Sequence, residues 1–447
     1  MPGRVTEISK ATPTHETIAD WIDCEAIPFD LEASEALDSV LDQVITSLDE
    51  SVRLLGFGEA LHGGEELPQL RNRLFQRLAS ARGFSAIAIE SSFPRGRIVS
   101  EFVQGSGPES YDDLVETGFS YGFGHLEANR ELVGWMREQN AEPARDVKLR
   151  FYGIDLPTTE DAQGASPRQD LEFALDYLDA MEIAGTIERR QRLDALLGDD
   201  AHWEGEANWR QPGASEEMIA RANALRIEVE DLMSVLRVRL LELAPKSNDN
   251  AYLDAVQHFA VARQLLTFFA ALTRDPAWSE PLGVRDALMA DNLKYIVERE
   301  RGRGKVLVFA HNAHLQRAKM TSPEGVNDMW PAGSHLHQLF GARYAVIGTA
   351  IGVSPSNGVG QPENGSIEAR LVAAPGDARF IPTHRGSGLP ANELSKLTIR
   401  SKSSTNPSYY PLTHESFNTF DWLGIIDDVS SIRGGPDQHA ASNETME

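Results

Sequence analysis

Apolar residues in this chain are grouped in short runs that end near an ionisable residue. The runs VRLLGFGE, FSAIAIES, LRFYGID and KVLVFAH reach Glu59, Glu90, Asp155 and His311 near their carboxyl ends. Each run is apolar through most of its length, which is typical of strands that are buried on both faces. A fifth run, RYAVIGTAIG at 343–352, has the same character. The pattern predicts a mostly parallel central sheet.

Helical spacing follows the first run, where four leucines fall on one helix face: Leu67, Leu70, Leu74 and Leu78. Strands that alternate with helices predict an α/β fold in which helices flank the sheet on both sides. A long stretch, 167–301, has helical periodicity throughout and is interrupted by a polar loop with two tryptophans at 198–215. We interpret this stretch as a helical insertion that packs beside the sheet and roofs the strand ends.

The pattern divides the chain into five segments. They are an N-terminal helical and loop segment (1–50), a first α/β half (51–166), the helical insertion as a lid (167–301), a second α/β half (302–432) and a disordered tail (433–447). The chain becomes loop-rich from about Ser354, and the tail has no apolar content, which favours disorder.

Composition narrows the classes of partner. The 447 residues include 42 basic and 67 acidic side chains, a formal net charge of −25. An acidic surface repels phosphate backbones and anionic lipids, so neither nucleic acid nor a membrane is an expected partner. Cys24 is the only cysteine and has acidic neighbours, which excludes an internal disulfide and argues against a thiol nucleophile. No secretory signal or membrane-spanning run is recognisable, so we expect a cytoplasmic protein.

The turn after the first run, GEALHGG, contains Glu59 and His62. Ligands of parallel sheets bind beyond the carboxyl ends of the strands, where this turn is expected to lie. A neutral imidazole accepts a proton from water near pH 7, and a carboxylate can hold the ring in the required tautomer. The same turn is also compatible with a helix-capping loop that contains an incidental histidine.

Glu90 closes a strand that should be buried, where an ionised carboxylate needs a partner. Arg71 lies on the helix between the first two strands and is the local candidate for that partner. A structural ion pair at the sheet edge is the alternative to a catalytic role.

His311 and His314, in FAHNAH, have two interpretations. They could form half of a metal site, completed by Glu59, Glu90 or His62. Paired histidines at a strand end also orient substrates or stabilise oxyanions. Because the H-E-x-x-H pattern is absent, we do not predict a metal or other cofactor.

A rival motif, GFSYG at 118–122, matches the nucleophile elbow of serine hydrolases, and Asp155 and His311 follow Ser120 in triad order. An elbow needs a buried strand before its serine, whereas YDDLVETGF is acidic. Ser120 is therefore not the predicted nucleophile. The stretch GFGEAL lacks the third glycine of a dinucleotide motif, and no P-loop occurs.

Five separated motifs occur in one order: GEALHG, AIAIES, FYGID, RDALMADNL and VFAHNAHLQ. Over residues 50–350 the chain thereby resembles the erythromycin esterase-like family. The resemblance implies a soluble hydrolase that opens macrolide lactones with a histidine-activated water and no essential metal. The stretch GGEEL departs from the family's usual GTHEF, so lactone specificity does not carry over.

The resemblance also implies roles at matched positions. His62 corresponds to the general base and Glu59 to its acidic partner. Four further residues match active-site positions: Arg71, Glu90, His311 and His314.

We therefore predict a carboxylic ester or lactone hydrolase that acts on a small secondary metabolite, as a monomer or homodimer. In this hypothesis His62 activates water, and Arg71 with His311 or His314 stabilises the oxyanion. Supporting roles fall to Asp155 as a brace for a histidine, to Asn312, and to Arg285, which with Met289 and Asn292 lies on one helix face and packs. Two alternatives remain: a non-hydrolytic cyclase or lyase that uses the same base, and a non-catalytic small-molecule binding protein.

Overall fold

A computed structural model describes residues 14–157, 165–204, 208–209, 214–247, 249–274, 279–321 and 328–434. Nearly all of the predicted disordered tail, and part of the loop 198–215, lie outside the described residues.

The described residues form one sheet of eight strands. The strands are β1 (Ile27–Phe29), β2 (Leu54–Glu59), β3 (Phe84–Ser92), β4 (Arg150–Asp155), β5 (Lys305–His311), β6 (Tyr344–Val353), β7 (Ala378–Pro382) and β8 (Trp422–Asp428). All five apolar runs of the sequence are strands, as predicted.

Helices flank this sheet and form a separate layer beside it. Within the described residues they are α1 (Ile18–Glu25), α2 (Ser34–Ser47), α3 (Glu66–Ala81), α4 (Phe93–Gln104), α5 (Glu127–Ala141), α6 (Arg168–Ala180), α7 (Thr186–Leu197), α8 (Glu216–Val238), α9 (Leu240–Lys246), α10 (Asp249–Arg274), α11 (Ser279–Arg299), α12 (Asn312–Leu315), α13 (Ala332–Phe340), α14 (Ile367–Leu371), α15 (Ala391–Leu394) and α16 (Ser416–Thr419). The α/β class is confirmed.

The strand order is β1-β7-β8-β6-β2-β5-β3-β4. The six strands from β8 to β4 are parallel to their neighbours, and β7 and β1 add an antiparallel edge. The loop-rich description of the chain after Ser354 was incomplete, because β7 and β8 lie there and extend the sheet. Both are short and are surrounded by glycine-, proline- and serine-rich sequence, which masks a strand pattern.

Alternate strand residues enter two different cores, one on each face of the sheet. In β5, Leu307 and Phe309 join the core under α2, α3 and α5, whereas Val306, Val308 and Ala310 join the core under α1, α11 and α13. The leucine face predicted for α3 is buried in the first of these cores. Each fully buried leucine contributes about 1.5–3 kcal/mol relative to an exposed one.

The predicted helical insertion corresponds to α6–α11, which have a third core of their own. The two tryptophans of the polar loop, Trp203 and Trp209, are buried in it, and Trp209 stacks on Phe269 with ring centroids 4.4 Å apart. The two tryptophans therefore anchor the loop to the core of the insertion and are not exposed to solvent. Within the described residues, the stretch Asn250–Arg274 of α10 is long and apolar enough to cross a membrane, but 72% of its apolar window is buried in this core.

Candidate active site

The ionisable residues that end the predicted strands meet at one edge of the sheet. Strands β2, β5, β3 and β4 are consecutive neighbours, so their carboxyl ends present Glu59, His311, Glu90 and Asp155 in that spatial order. Glu59 and His311 are register partners. The convergence that the sequence predicted is therefore present.

His62 follows β2 in a turn that Gly63 makes possible with a φ of 95°, a region that favours glycine. Its Nδ1 lies 2.8 Å from Oε2 of Glu59, and its side chain is 30% exposed. Burial alone would lower the pKa of His62, but the charges of Glu59 and Glu90 outweigh it and raise that pKa above its ordinary 6.5. Nε2 has no hydrogen bond partner among the described residues, so it is the nitrogen left for chemistry.

The ring of His311 lies 5.0 Å from that of His62 but is fully engaged. Its Nε2–H donates to the carbonyl of Ser408 (2.7 Å), and its Nδ1 accepts from the backbone N–H of Ala313 (3.2 Å). Burial and the neighbouring His62 lower the pKa of His311 to about 3. His311 is therefore a neutral, fixed ring, and it offers no donor to an oxyanion in this arrangement.

His314 is held between two carboxylates. Its Nδ1 lies 2.9 and 3.0 Å from the two oxygens of Asp286, and its Nε2 lies 3.2 Å from Oε1 of Glu90. Burial alone would lower the pKa of His314, but these two charges raise it to about 10. His314 is an imidazolium whose protons are both committed, so the oxyanion role predicted for it does not fit either.

Glu90 has distant partners instead of the predicted Arg71. Its Oε1 accepts from Nη2 of Arg285 (3.0 Å), and its Oε2 accepts from the backbone N–H of His311 (2.8 Å). Burial alone would raise the pKa of Glu90, but His314, His62 and Arg285 hold it well below its usual range. Glu90 is a permanent carboxylate at the floor of the site.

Arg285 does more than pack. Its Nε and Nη2 grip both oxygens of Asp155, at 2.9 and 2.5 Å, and the hydroxyl of Tyr121 donates to the same carboxylate at 2.7 Å. Asp155 therefore braces an arginine and a tyrosine and not, as predicted, a histidine. The other two residues of that helix face do pack, since Met289 and Asn292 are fully buried.

Arg71 is buried with its guanidinium 4.8 Å from the ring centroid of Phe309. Its Nε and Nη2 donate to the side chain of Asn72, at 3.0 and 2.7 Å. Burial lowers the pKa of Arg71 to about 10 despite the attraction of Glu59, so it stays charged at neutral pH. Nη1 has no partner among the described residues.

Asn312 and Ser120, which the sequence analysis considered for the site, have structural roles. Asn312 exchanges hydrogen bonds with the backbone of Thr349 (2.8 and 3.1 Å) and lies directly over Gly58, where a Cβ would come within 2.1 Å of its Oδ1. Ser120 is buried, and its hydroxyl accepts from the backbone of Ser92 at 3.0 Å. Neither residue is placed to react with a substrate.

A cavity lies over the strand ends, with about 570 Å³ of empty space when the part open to solvent is included. Its charged lining is Glu59, His62, Arg71 and Glu90. Its remaining walls are largely apolar and come from the segment 121–129, the strands and Ile432. Within the described residues, the helical insertion reaches the site through Arg285 and Asp286 of α11.

A metal interpretation of the late histidines has no geometric support. Within the described residues, no group of three or more His, Cys, Asp and Glu side chains is arranged to hold a metal ion. In both His311 and His314 the two ring nitrogens are already hydrogen-bonded.

The family of this chain follows from comparison with known proteins. A sequence model described as erythromycin esterase matches residues 79–421. This chain belongs to the erythromycin esterase family. The match begins after His62, so the roles of Glu59 and His62 rest on the geometry and on the motif. Family membership indicates a hydrolase.

Curated relatives of this erythromycin esterase family member are distant. Erythromycin esterase type II of Escherichia coli is 25% identical over 349 residues, covering 74% of this chain and 76% of the relative. Erythromycin esterase type I of Escherichia coli is also 25% identical, covering 75% and 79%. A putative hydrolase, YbfO of Bacillus subtilis, is 22% identical, covering 81% and 80%.

Solved structures show the same fold. A Bacillus cereus protein superposes with a TM-score of 0.73 at 19% identity, covering 94% of this chain and 98% of its own. A mutant of erythromycin esterase EreC in its open conformation superposes with a TM-score of 0.65 at 20% identity, covering 88% and 94%.

Several residues of this family member's site escaped the sequence reasoning. Asp286 was next to a recognised residue, inside the motif RDALMADNL. Tyr121 lies in the GFSYG segment, whose motif singles out Ser120 and not the tyrosine. Ser408 is the third such residue. Its carbonyl accepts a hydrogen bond from Nε2–H of His311, and its hydroxyl accepts one from the backbone N–H of His62 (3.0 Å). No pattern in the sequence indicates this role.

Proposed function

We propose that this protein hydrolyses a carboxylic ester or lactone with a water molecule activated by His62. One observation carries the proposal. Of the three clustered histidines, His62 alone combines a carboxylate on Nδ1 with an Nε2 that has no partner among the described residues. Glu59 fixes the tautomer in which Nε2 has a lone pair, so that nitrogen can accept a proton from water.

The steps use only this chain's residues and water. His62 Nε2 takes a proton as the water oxygen bonds to the carbonyl carbon. Arg71 then stabilises the tetrahedral oxyanion, because its Nη1 has no partner in the described part of the chain and it lines the cavity beside His62. When the intermediate collapses, the ester C–O bond breaks and His62 returns the proton to the leaving alkoxide. The products are a carboxylic acid and an alcohol, joined in one molecule when the substrate is a lactone.

The network behind the cavity supports this chemistry electrostatically. Arg285 and His314 supply two positive charges, which Glu90, Asp155 and Asp286 surround with three negative ones. These groups are bonded to each other and have no role in proton transfer. They hold Glu90 in its charged form, which helps to raise the pKa of His62.

The substrate class follows from the family and the walls of the cavity. Relatives are named erythromycin esterases, and the apolar walls fit a largely apolar molecule. We infer a lactone of macrolide type or another neutral ester among secondary metabolites, handled in the cytoplasm without a cofactor.

A mass-spectrometric screen tests the function. Macrolides, simpler lactones and open-chain esters are incubated with wild type, with His62→Ala and with the exposed control His337→Ala. With wild type and the control, the expected product is heavier by one water when the substrate is a lactone, and is a separate acid and alcohol when it is an open-chain ester. No product is expected with His62→Ala. A product of unchanged mass would overturn hydrolysis in favour of a cyclase or lyase, and ligand binding without conversion would favour a binding protein.

A further inference from the structure

A second cleft opens at the other end of α11 from Arg285, between that helix, α10, α4 and the start of β4, with about 790 Å³ of empty space when the part open to solvent is included. Arg299, the last residue of α11, lines it. At 1.5 Å per helical residue, Arg299 lies about 21 Å along the helix from Arg285. The second cleft is therefore separate from the candidate active site.

The floor of the second cleft is aromatic. The ring of His258 lies 4.0 Å from that of Phe173 and 5.6 Å from that of Phe93, and Tyr295 lies 5.7 Å from Phe93. The two contacts of Phe93 are edge-to-face, whereas the rings of His258 and Phe173 are tilted by 35°. Edge-to-face contacts leave ring faces on which a further flat ring can pack.

His258 adds one polar atom to this floor. It is 4% exposed, and its Nδ1 lies 2.6 Å from Oδ1 of the buried Asp170, which fixes the ring. Its Nε2 has no hydrogen bond partner in the part of the chain that the structure describes. A ring nitrogen of a buried histidine that has no partner among the described residues, in the lining of a cleft, indicates a position where a ligand makes a polar contact.

The rim of the second cleft carries three guanidinium groups, which are only partly used. Each is paired with one carboxylate: Arg97 with Glu101, Arg150 with Glu300 and Arg299 with Asp254. Nη1 of Arg299 is buried and has no partner among the described residues. An unsatisfied charged donor in a buried position is costly, and the guanidinium of Arg97, whose side chain is 40% exposed, is the one on the rim that a ligand can reach most easily.

We propose that the second cleft binds a small aromatic carboxylate, with its carboxylate on the guanidinium rim and its ring on the aromatic floor. Unpaired guanidinium N–H groups match the two oxygens of a carboxylate. Each rim arginine is already paired with a carboxylate, so the cleft suits a singly charged anion better than a doubly charged phosphate. Arg97 joins the two parts, because its guanidinium lies 5.2 Å from the ring centroid of Phe173.

Calorimetric titration with benzoate tests this site. Two control ligands are titrated in the same way. Benzamide has the ring but no charge, and inorganic phosphate has the charge but no ring. The variants are Arg97→Gln and its control Arg77→Gln, which removes an arginine of similar exposure (32% against 40%), likewise paired with a carboxylate, from a different helix. We expect wild type to bind benzoate, Arg97→Gln to bind it about tenfold more weakly, and Arg77→Gln to bind it unchanged.

A second variant, Arg150→Gln, distinguishes a loss of benzoate binding from a loss of folding in Arg97→Gln. Arg150→Gln should weaken benzoate binding to a similar extent, and Arg97→Gln, whose partner Glu101 is 36% exposed, should melt as wild type does in the absence of benzoate. The proposal is overturned if wild type does not bind benzoate, or if Arg77→Gln weakens it as much as Arg97→Gln. Benzamide binding as tightly as benzoate would exclude carboxylate recognition, and tighter phosphate binding would exclude a role for the aromatic floor.

Discussion

The rings of His62 and His311 lie 5.0 Å apart, yet their hydrogen bonds give them opposite properties. His311 uses both nitrogens on the backbone, and burial keeps it neutral. His62 is hydrogen-bonded through Nδ1 to Glu59, and its Nε2 has no partner among the residues that the structure describes. Two histidines that look interchangeable in the sequence are therefore a fixed ring and a candidate base.

Replacing His62 with alanine should abolish turnover without unfolding the protein. A positioned general base contributes about 10²–10⁴-fold to the rate, and a side chain that is 30% exposed contributes little packing. Steady-state kinetics of His62→Ala measures the loss of turnover, and a thermal melt measures whether the variant stays folded. If the variant is instead unfolded, His62 has a structural role and the catalytic hypothesis weakens.

The pH dependence of kcat/KM should report His62 directly. Because the base acts when deprotonated, the rate should rise with pH through a pKa above 6.5. Glu59→Gln keeps a hydrogen bond to the ring but removes the carboxylate charge that raises this pKa. Its acid limb should therefore move to lower pH. An acid limb that stays in place in Glu59→Gln would assign it to another group.

Arg71 should act on the chemical step more than on binding. Removing one oxyanion donor typically costs about 10²–10³ in kcat. In Arg71→Lys a charge remains, but the bonds of the guanidinium to Asn72 and the reach of Nη1 are lost. We expect kcat to fall within that range while KM changes little. A rise in KM with kcat preserved would show that Arg71 holds the ground-state substrate.

The pair of Asp286 and His314 should make stability depend on pH. A histidine whose pKa is raised to about 10 stabilises the fold fully below its unfolded value near 6.5, and this contribution is lost as the pH rises towards 10. Asp286→Asn breaks a buried pair, which costs about 3–5 kcal/mol, and should flatten this dependence. Urea unfolding of both proteins at pH 7 and pH 10 measures it.

The matched control for that experiment is Asp112→Asn. Asp112 is 79% exposed and pairs with Arg130 on the surface. Such a pair is worth about 0–1 kcal/mol, so the control should unfold as wild type does at both pH values. Equal losses in the two variants would show that His314 draws no special stability from Asp286.

The close approach of Gly58 and Asn312 should be visible in a double variant. In Gly58→Ala the new methyl group would come within 2.1 Å of Oδ1 of Asn312, and overpacking of this kind costs about 1–3 kcal/mol. The double variant Gly58→Ala with Asn312→Ala removes the clash. Its loss of unfolding free energy should therefore be smaller than the sum of the losses in the two single variants. Simple additivity in denaturant melts would contradict the predicted contact.

The sequence predicted the central strands because apolar runs buried on both faces leave a strong pattern. It also placed Glu59, Glu90, Asp155 and His311 at one edge, which follows once those strands are parallel. The strand β1 has only three residues and left no such pattern.

The sequence indicates which residues lie in the site better than it indicates which of them form hydrogen bonds and ion pairs with each other. Arg285 and Asp155 are 130 positions apart and meet only because α11 packs across β4 and β5. The predicted Glu90–Arg71 pair was wrong because sequence proximity between neighbouring elements does not determine which way a side chain points. Contacts of this type depend on tertiary packing, which no local spacing encodes.

Ser408 supports both His62 and His311 from a position close to the end of the chain. Both rings therefore depend on one late loop that contributes no proposed reacting group. A nick in the backbone of that loop would leave every reacting group in place and still deprive the two imidazoles of their shared support.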